Sequence, residues 1–556
     1  MPEAHARDHG ATHVVTNQPP PLEPYDACSS DRVLAAHLAR HDVATHATAL
    51  GAYGRAVGDE LGAAGVLANR YPPVFHSHDR FGHRIDQVEF HPAYHALMRA
   101  AIECGWHSLP WTAPGRDSHV ARAAFEYLHH QADSGTGCPL TMTFAAVPAL
   151  RHAPALAEAW LPRITARVYD GTDRPWYEKQ GVTIGMAMTE KQGGTDVRAN
   201  TTRAEPVYVP GADEAWALTG HKWFCSAPMC DAFLTLAQTA GGLTCFLLPR
   251  WRPDGARNGF HVQRLKDKLG NHSNASSEVE YRDAFAWRVG AEGRGVATIL
   301  EMVALTRFDC MVGSAALMRQ GLAQAVHHCA HRQVMGRVLA EQPLMQNVLA
   351  DLALEAEGAL ALALRVARGL DGAAAGDARA SAFVRIATAI GKYWICKRAP
   401  AHVNEAAECL GGAGYVEQSV LPRLYREAPV NSTWEGSGNV QCLDVLRAMT
   451  REPAALAALQ AELDGARGSD PHYDAFVERL TATITDGRGV EQCARALVEE
   501  LALALVAAEL IAAGDGLVAG AWCRGRLGPA RGLAYGTLPA GIDLPALVAR
   551  ARPQLD

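Results

Sequence analysis

Two periodicities divide the 556-residue chain. From Ser30 to about Gln180, apolar positions recur at helical spacing. Asp31-Arg-Val-Leu-Ala-Ala-His-Leu opens one helix behind a serine or aspartate cap, and His91-Pro-Ala-Tyr-His-Ala-Leu-Met opens another with proline in its first turn. Between Val182 and about Val289 the pattern shortens to alternating runs bounded by Gly and Asn turns. Trp216–His221, Phe233–Gln238, Thr244–Pro249 and Ser277–Tyr281 read as strands; in the last, Val279 and Tyr281 point one way, Glu278 and Glu280 the other. Helix returns at Gly295. Val296–Arg332 is apolar nearly all round, as in the middle of a bundle, and runs at 343–369, 377–411 and 436–450 follow on short loops. Beyond Arg451-Glu-Pro453, Leu456, Leu459 and Leu463 share one helical face, and a long helix follows near 489–513. The pattern predicts an α+β chain: a helical domain over 1–180, a middle β-barrel-like domain over 181–292, a four-helix bundle over 293–451 and a C-terminal helical extension over 452–556.

Composition narrows the class. A chain this long exceeds one ordinary core, and its 48% hydrophobic and 20% charged residues suit a folded, soluble protein. The net charge of −7 argues against nucleic-acid binding by the whole surface and leaves room for a local basic patch. Thirteen cysteines without a C-x-x-C pair read as free thiols in a reducing cytoplasm, with no disulfide framework and no metal site. The N-terminus has no apolar signal region, and PPPLEP at 19–24 predicts an extended arm clamped on a neighbouring surface. The apolar run Leu501–Ala508, flanked by Glu499, Glu500 and Glu509, reads as a buried helix and not a membrane span.

Two stretches carry candidate chemistry. Gly185–Val197, GMAMTEKQGGTDV, reads as a strand that breaks into a polar turn; Gly193-Gly194 permits close ligand approach, and Thr189 and Thr195 offer hydroxyls. By itself it is also an ordinary surface turn. Asn431–Gln441, NSTWEGSGNVQ, sets Glu435 between an indole and three small residues, a setting for a general base or, more simply, a helix-start loop. Cys138-Pro-Leu-Thr-Met-Thr-Phe can line a pocket or pack a helix face. No G-x-G-x-x-G follows a strand, which disfavours a nicotinamide site; GGAG at 411–414 lies in helical context.

Taken in order, Thr189-Glu-Lys-Gln-Gly-Gly-Thr195, His221-Lys-Trp-Phe-Cys-Ser226, Leu410-Gly-Gly-Ala-Gly-Tyr415 and Trp434-Glu-Gly-Ser437 resemble the acyl-CoA dehydrogenase superfamily over residues 30 to 450. RLKDKLGNHSNASSEVE, LTRFDC and the long C-terminal extension resemble its AidB-like, adaptive-response branch. The resemblance implies FAD, cradled by Met188, Thr189, Gly194 and Thr195, by Trp223, Phe224 and Ser226, and by Thr433, Trp434, Gly436, Ser437 and Asn439. It implies Glu435 as the base that takes the α-proton of an acyl-CoA thioester, and a homotetramer built as a dimer of dimers. Two departures stand out: Arg332-Gln-Val-Met-Gly336 has methionine where the family has phenylalanine, and Pro343 stands where relatives carry a flavin-contacting glutamine.

The branch also implies double-stranded DNA binding by the extension. Residues 451–556 hold ten arginines, no lysine and fourteen acidic residues, for a net charge of −4. Arg524, Arg526 and Arg531 cluster there, and Arg447 lies just before it; each set is a candidate phosphate contact or a solvated cluster. Three functions follow: an acyl-CoA dehydrogenase, a flavin-bearing DNA-protection protein with vestigial activity, or a scaffold without flavin. Retention of Thr189, Thr195, Ser226, Glu435 and Asn439 argues against the third.

Overall fold

A computed structural model of the chain describes residues 12–208, 215–486 and 491–555. The reading of the first eleven residues and the expected helix start near 489 fall outside them. Helices Arg32–Arg40, Ala47–Val57, Glu60–Arg70, Pro92–Cys104, Ser118–Ala132, Gly137–Leu150 and Pro154–Ile164 make up most of the N-terminal part. Asp31 caps the first by accepting the N–H groups of Val33 and Leu34, and His91 Nδ1 caps the fourth through Ala93. The helical reading passes over one antiparallel hairpin, Val74–His78 with Arg84–Glu89. Its strands of five and six residues are short against a helical background, and its turn is set by Asp79, which accepts the N–H groups of Phe81 and His83.

Seven strands form the middle sheet. Ala232–Thr239, Arg203–Pro206, Ala215–Ser226, Ser276–Val289 and Gly242–Pro249 pair in that order, and the last returns to Ala232–Thr239, closing a ring. Ile184–Ala187 joins parallel to Ala232–Thr239, and Phe260–Leu265 pairs with Ser276–Val289. The ring is the expected barrel-like layer, and the TEKQGGT turn leaves it at the end of Ile184–Ala187.

Helices Gly295–His331, Pro343–Ala374, Ala378–Cys409 and Gly438–Arg451 form the bundle. Gly295–His331 is buried along most of its length, yet it brings Thr306, Asp309 and Arg319 into the interior. Residues 17–24 lie along its end: His327 Nε2 meets the carbonyl of Pro20 at 3.0 Å, and Arg332 donates to the carbonyl of Asn17. The arm is clamped within its own chain. The extension, Pro453–Asp464, Pro471–Asp486, Ala494–Ala513, Gly516–Trp522 and Leu544–Ala551, packs on Pro343–Ala374 and Ala378–Cys409. Arg526 pairs with Asp351 and Glu355, Arg550 with Glu357 at 2.8 Å, and Arg365 with Glu462 at 2.6 Å. No helix among the described residues is long and apolar enough to cross a membrane.

Candidate active site

Glu435 sits in the loop between Val430–Thr433 and Gly438–Arg451, with φ at +56°, a conformation L-residues adopt at a cost. Three side chains hold it there. Lys392, buried in Ala378–Cys409, donates to the carbonyls of Trp434 and Gly436; Arg307 donates to the carbonyl of Glu435 itself at 2.8 Å; Gln441 donates to the carbonyls of Glu435 and Gly436. The carboxylate accepts from Thr306 Oγ1 at 2.8 Å. Burial pushes its carboxyl upward, against the opposing effects of Thr306, Lys392 and Arg307. Such a group takes a proton more readily than an exposed carboxylate does.

The loop around it is ordered by its own sequence. Trp434 Nε1 donates to Asn431, and Asn431 in turn donates to Ser314. A Cβ at Gly436, where φ is +98°, would lie 2.6 Å from Gln441 Nε2. Ser437 is the residue before the next helix, Thr433 bonds the carbonyl of Pro429, and Asn439 is exposed on the first turn.

The other candidate stretch is the turn after Ile184–Ala187. Trp223 N–H donates to the carbonyl of Thr189 at 2.8 Å, and Asn200 donates to the carbonyl of Met188. A Cβ at Gly194 would sit 2.5 Å from Thr189 Oγ1, so only glycine lets the turn fold over that hydroxyl. Thr195 is exposed, and Phe224 shows 52% of its surface. The Trp223 ring is covered by the Lys266 ammonium at 3.4 Å.

The two halves meet at Cys138. Its thiol lies within hydrogen-bonding reach of Ser226 and Asn274 and within the field of Glu435; burial pushes it up to about 12, so it is a neutral wall and not a nucleophile. Sequence reasoning missed Thr306, Arg307, Lys392 and Gln441, and it missed the pair under the turn. Glu190, inside the quoted motif, is fully buried and accepts from Lys222 Nζ at 2.9 Å and from the N–H groups of Thr201 and Thr202. Burial opposes its ionisation, but Lys222 and these donors hold it well below the usual carboxylate range. The only signal was a lysine inside each apolar run.

Residues 17–171 match the family described as Adaptive response protein AidB N-terminal domain. Residues 185–284 match the acyl-CoA dehydrogenase middle domain, and 293–450 the acyl-CoA dehydrogenase C-terminal domain. The chain is 44% identical over 523 residues to AidB of Escherichia coli strain K12, covering 93% of this chain and 94% of that protein. It belongs to the acyl-CoA dehydrogenase family, in the AidB-like branch. Two solved structures share the fold closely. Bd2924 in its apo form superposes with a TM-score of 0.82 at 28% identity, over 90% of this chain and all of that one. Caenorhabditis elegans ACDH-11 in complex with C11-CoA also gives 0.82, at 26% identity, over 99% and 95% of the two chains.

FAD is the family's cofactor, and the residues present fit it. A Cβ at Gly193 would meet nothing within 4 Å, Phe224 is half exposed with the Lys266 ammonium over its ring, and Asn274 Oδ1 is a buried acceptor with no donor among the described residues. The Arg332–Gly336 departure forms a small hairpin that holds Met335 at 95% exposure, and Pro343 begins the next helix.

The four arginines proposed for DNA do not form one surface. Arg526 is spent on Asp351 and Glu355 and stacks near Trp522, which corrects its reading as a phosphate contact. Arg524 donates to the carbonyl of Gly541, and Arg531 lies 3.8 Å from Glu499. Arg447 is exposed on Gly438–Arg451, with Arg451 one turn on.

Proposed function

We propose that the protein catalyses α,β-dehydrogenation of an acyl-CoA thioester, with FAD in the cradle around Thr189, Thr195 and Ser226 and Glu435 as the base. The observation that carries this is the Glu435 carboxylate, its loop fixed by five side-chain bonds to backbone carbonyls and its carboxyl raised by burial, acting on Cys138, whose thiol is in reach of Ser226. Glu435 takes the α-proton onto a carboxylate oxygen, and Thr306 holds that carboxylate in one orientation. When bound, FAD accepts the hydrogen and two electrons lost from the β-carbon as the double bond forms. The fold shared with a C11-CoA complex supports a CoA thioester as ligand. The test is an absorbance spectrum of purified protein followed by anaerobic titration with acyl-CoA thioesters. A flavin spectrum bleached by a thioester in the wild type and unchanged in E435Q is expected. Equal bleaching in E435Q places the base elsewhere.

We further propose a homotetramer. The strongly exposed apolar side chains of Met335, Leu344 and Tyr415 support it, as side chains that another subunit would cover. Sedimentation as a stable monomer at micromolar concentration sinks it. Thirteen free cysteines support a cytoplasmic protein.

A second reading, contact with duplex DNA, is favoured by exposed Arg447 and Arg451 on one helix face, neither with a carboxylate partner among the described residues. Binding through so few phosphates is weak, indifferent to sequence and steeply salt-dependent. Failure to shift duplex DNA at low ionic strength removes it.

A further inference from the structure

Lys268 is a half-buried ammonium without a carboxylate. Its Nζ donates to the carbonyl of Asn274 at 2.6 Å and to Ser276 Oγ at 3.2 Å, and no acidic group among the described residues lies within ion-pair distance. The nearest charges are already engaged. Glu427 accepts two bonds from Asn271 at 2.7 Å each, and Asp133 accepts from Thr136, Asn69 and Ser273. Burial lowers the ammonium to about 8, with Glu427, Cys138 and Asp133 acting the other way. The backbone delivers it deliberately: Gly270 is pressed so closely on the carbonyl of Arg426 that a Cβ would lie 2.3 Å away. A cation partly removed from water with only neutral partners is costly unless something negative meets it.

Its hydrogen bonds show where that charge is directed. Ser276 Oγ lies 3.3 Å from Ser226 Oγ, and Ser226 is in hydrogen-bonding reach of Cys138, which lies in the field of Glu435. A protonated lysine only donates. Ser276 accepts from it, and either hydroxyl of the Ser276–Ser226 pair can donate to the other. The row is continuous from the ammonium through Ser276 to Ser226.

We propose that Lys268, acting through Ser276 and Ser226, sets the reduction potential of the bound flavin by favouring its reduced, more negative form. This rests on the FAD reading above and adds a positioning residue to it. The ammonium stabilises negative charge in a site of low dielectric, and Ser226 carries the nearest dipole of that field.

The experiment uses the full-length, FAD-loaded protein and its K268M, K268R and S276A variants, with midpoint potentials read against a reference dye. K268M and S276A should make reduction at least tenfold less favourable, about 30 mV for a two-electron couple. K268R should stay near the wild type. The gap between wild type and K268M should be widest near pH 7 and close as pH rises above about 8, where Lys268 loses its proton; Glu427, Asp133 and Cys138 are the other titratable groups facing it, and Glu435 acts on Cys138. Wild-type potential and pH profile in FAD-loaded K268M overturn the proposal while the FAD reading stands. A wild-type protein that takes up no FAD overturns both. If K268M does not fold, S276A decides: an unchanged potential there refutes the relay.

Discussion

Lys392 Nζ donates to the carbonyl oxygens of Trp434 and Gly436, at 2.7 and 2.5 Å, and so grips the peptide on either side of Glu435. A single buried ammonium thereby holds a carboxylate in a backbone conformation that its neighbours alone do not favour. K392M should remove two charge-assisted bonds and leave the Trp434 carbonyl without its donor, the Gly436 carbonyl keeping Gln441, a loss of about 3 kcal/mol. Urea unfolding measures the stability loss. Thioester-dependent flavin reduction should fall with it, because the base no longer has one position; wild-type turnover in a folded K392M protein refutes the grip.

Thr306 works on the proton affinity of the base. Its hydroxyl bonds the ionised carboxylate and so lowers a carboxyl that burial raises. T306V should therefore raise it further, and the limb of the pH–rate profile that reports deprotonated Glu435 should move to higher pH. A profile that stays in place, or moves lower, counts against Glu435 as the titrating base.

Gly194 tests the cradle. G194A places a methyl group 2.5 Å from Thr189 Oγ1, and the hydroxyl or the turn must shift. FAD affinity should weaken about tenfold, roughly 1.4 kcal/mol. G193A is the control for space, since nothing lies near its Cβ, although its φ of +141° leaves some strain. Flavin fluorescence on titration with FAD separates the two.

Acid should destabilise the fold. Burial lowers His41, His119 and His130 to about 3, and His107, His129 and His402 to about 4. The unfolded chain protonates these rings near 6.5, so it binds more protons, and stability falls as pH drops below about 6.5. Each ring contributes up to about 1.4 kcal/mol per pH unit. Asp371, raised by burial to about 6, acts in the opposite sense and offsets part of the loss. Denaturation midpoints should be lower at pH 5.5 than at pH 7; equal midpoints contradict the balance.

Arg526 and Arg447 should separate cleanly. R526A removes the ion pair of buried Asp351 and leaves buried Glu355 with Arg398 alone, and should cost about 3 kcal/mol in thermal or urea unfolding. R447A should leave stability unchanged, and any DNA retention should weaken with it alone. A stable R526A protein with reduced DNA binding would reverse these roles.

The strands and bundle helices were legible because period 2 and period 3.6 are written locally, and Glu435 because its loop is a contiguous motif. Thr306, Arg307 and Lys392 were not, since each reaches that loop from a helix more than forty residues away. A lone lysine in an apolar run such as Ala389-Ile-Gly-Lys-Tyr-Trp-Ile395 gives a sequence pattern no sign of which carbonyls it serves. Arg526 shows the converse. Three arginines close in sequence suggested a basic edge, but the counter-charges lie about 170 residues earlier on another helix. Charge is legible from sequence; its neutralisation is not.

The ion pairs between the extension and helix Pro343–Ala374 bear on whether the extension can be removed. Asp351, Glu355 and Glu357 are shielded by Arg526, Arg550 and the covering loops, and Gly358 is small enough to seat Trp522. A chain ending at residue 452 would present that helix face to water with Asp351 unmatched, Glu355 left with Arg398 and Glu357 with His37, and a glycine where a larger apolar side chain is wanted. Shortening this protein is therefore not a matter of one cut: the face beneath would have to be rewritten at the same time, and the tail and the helix it covers behave as a single unit of inheritance.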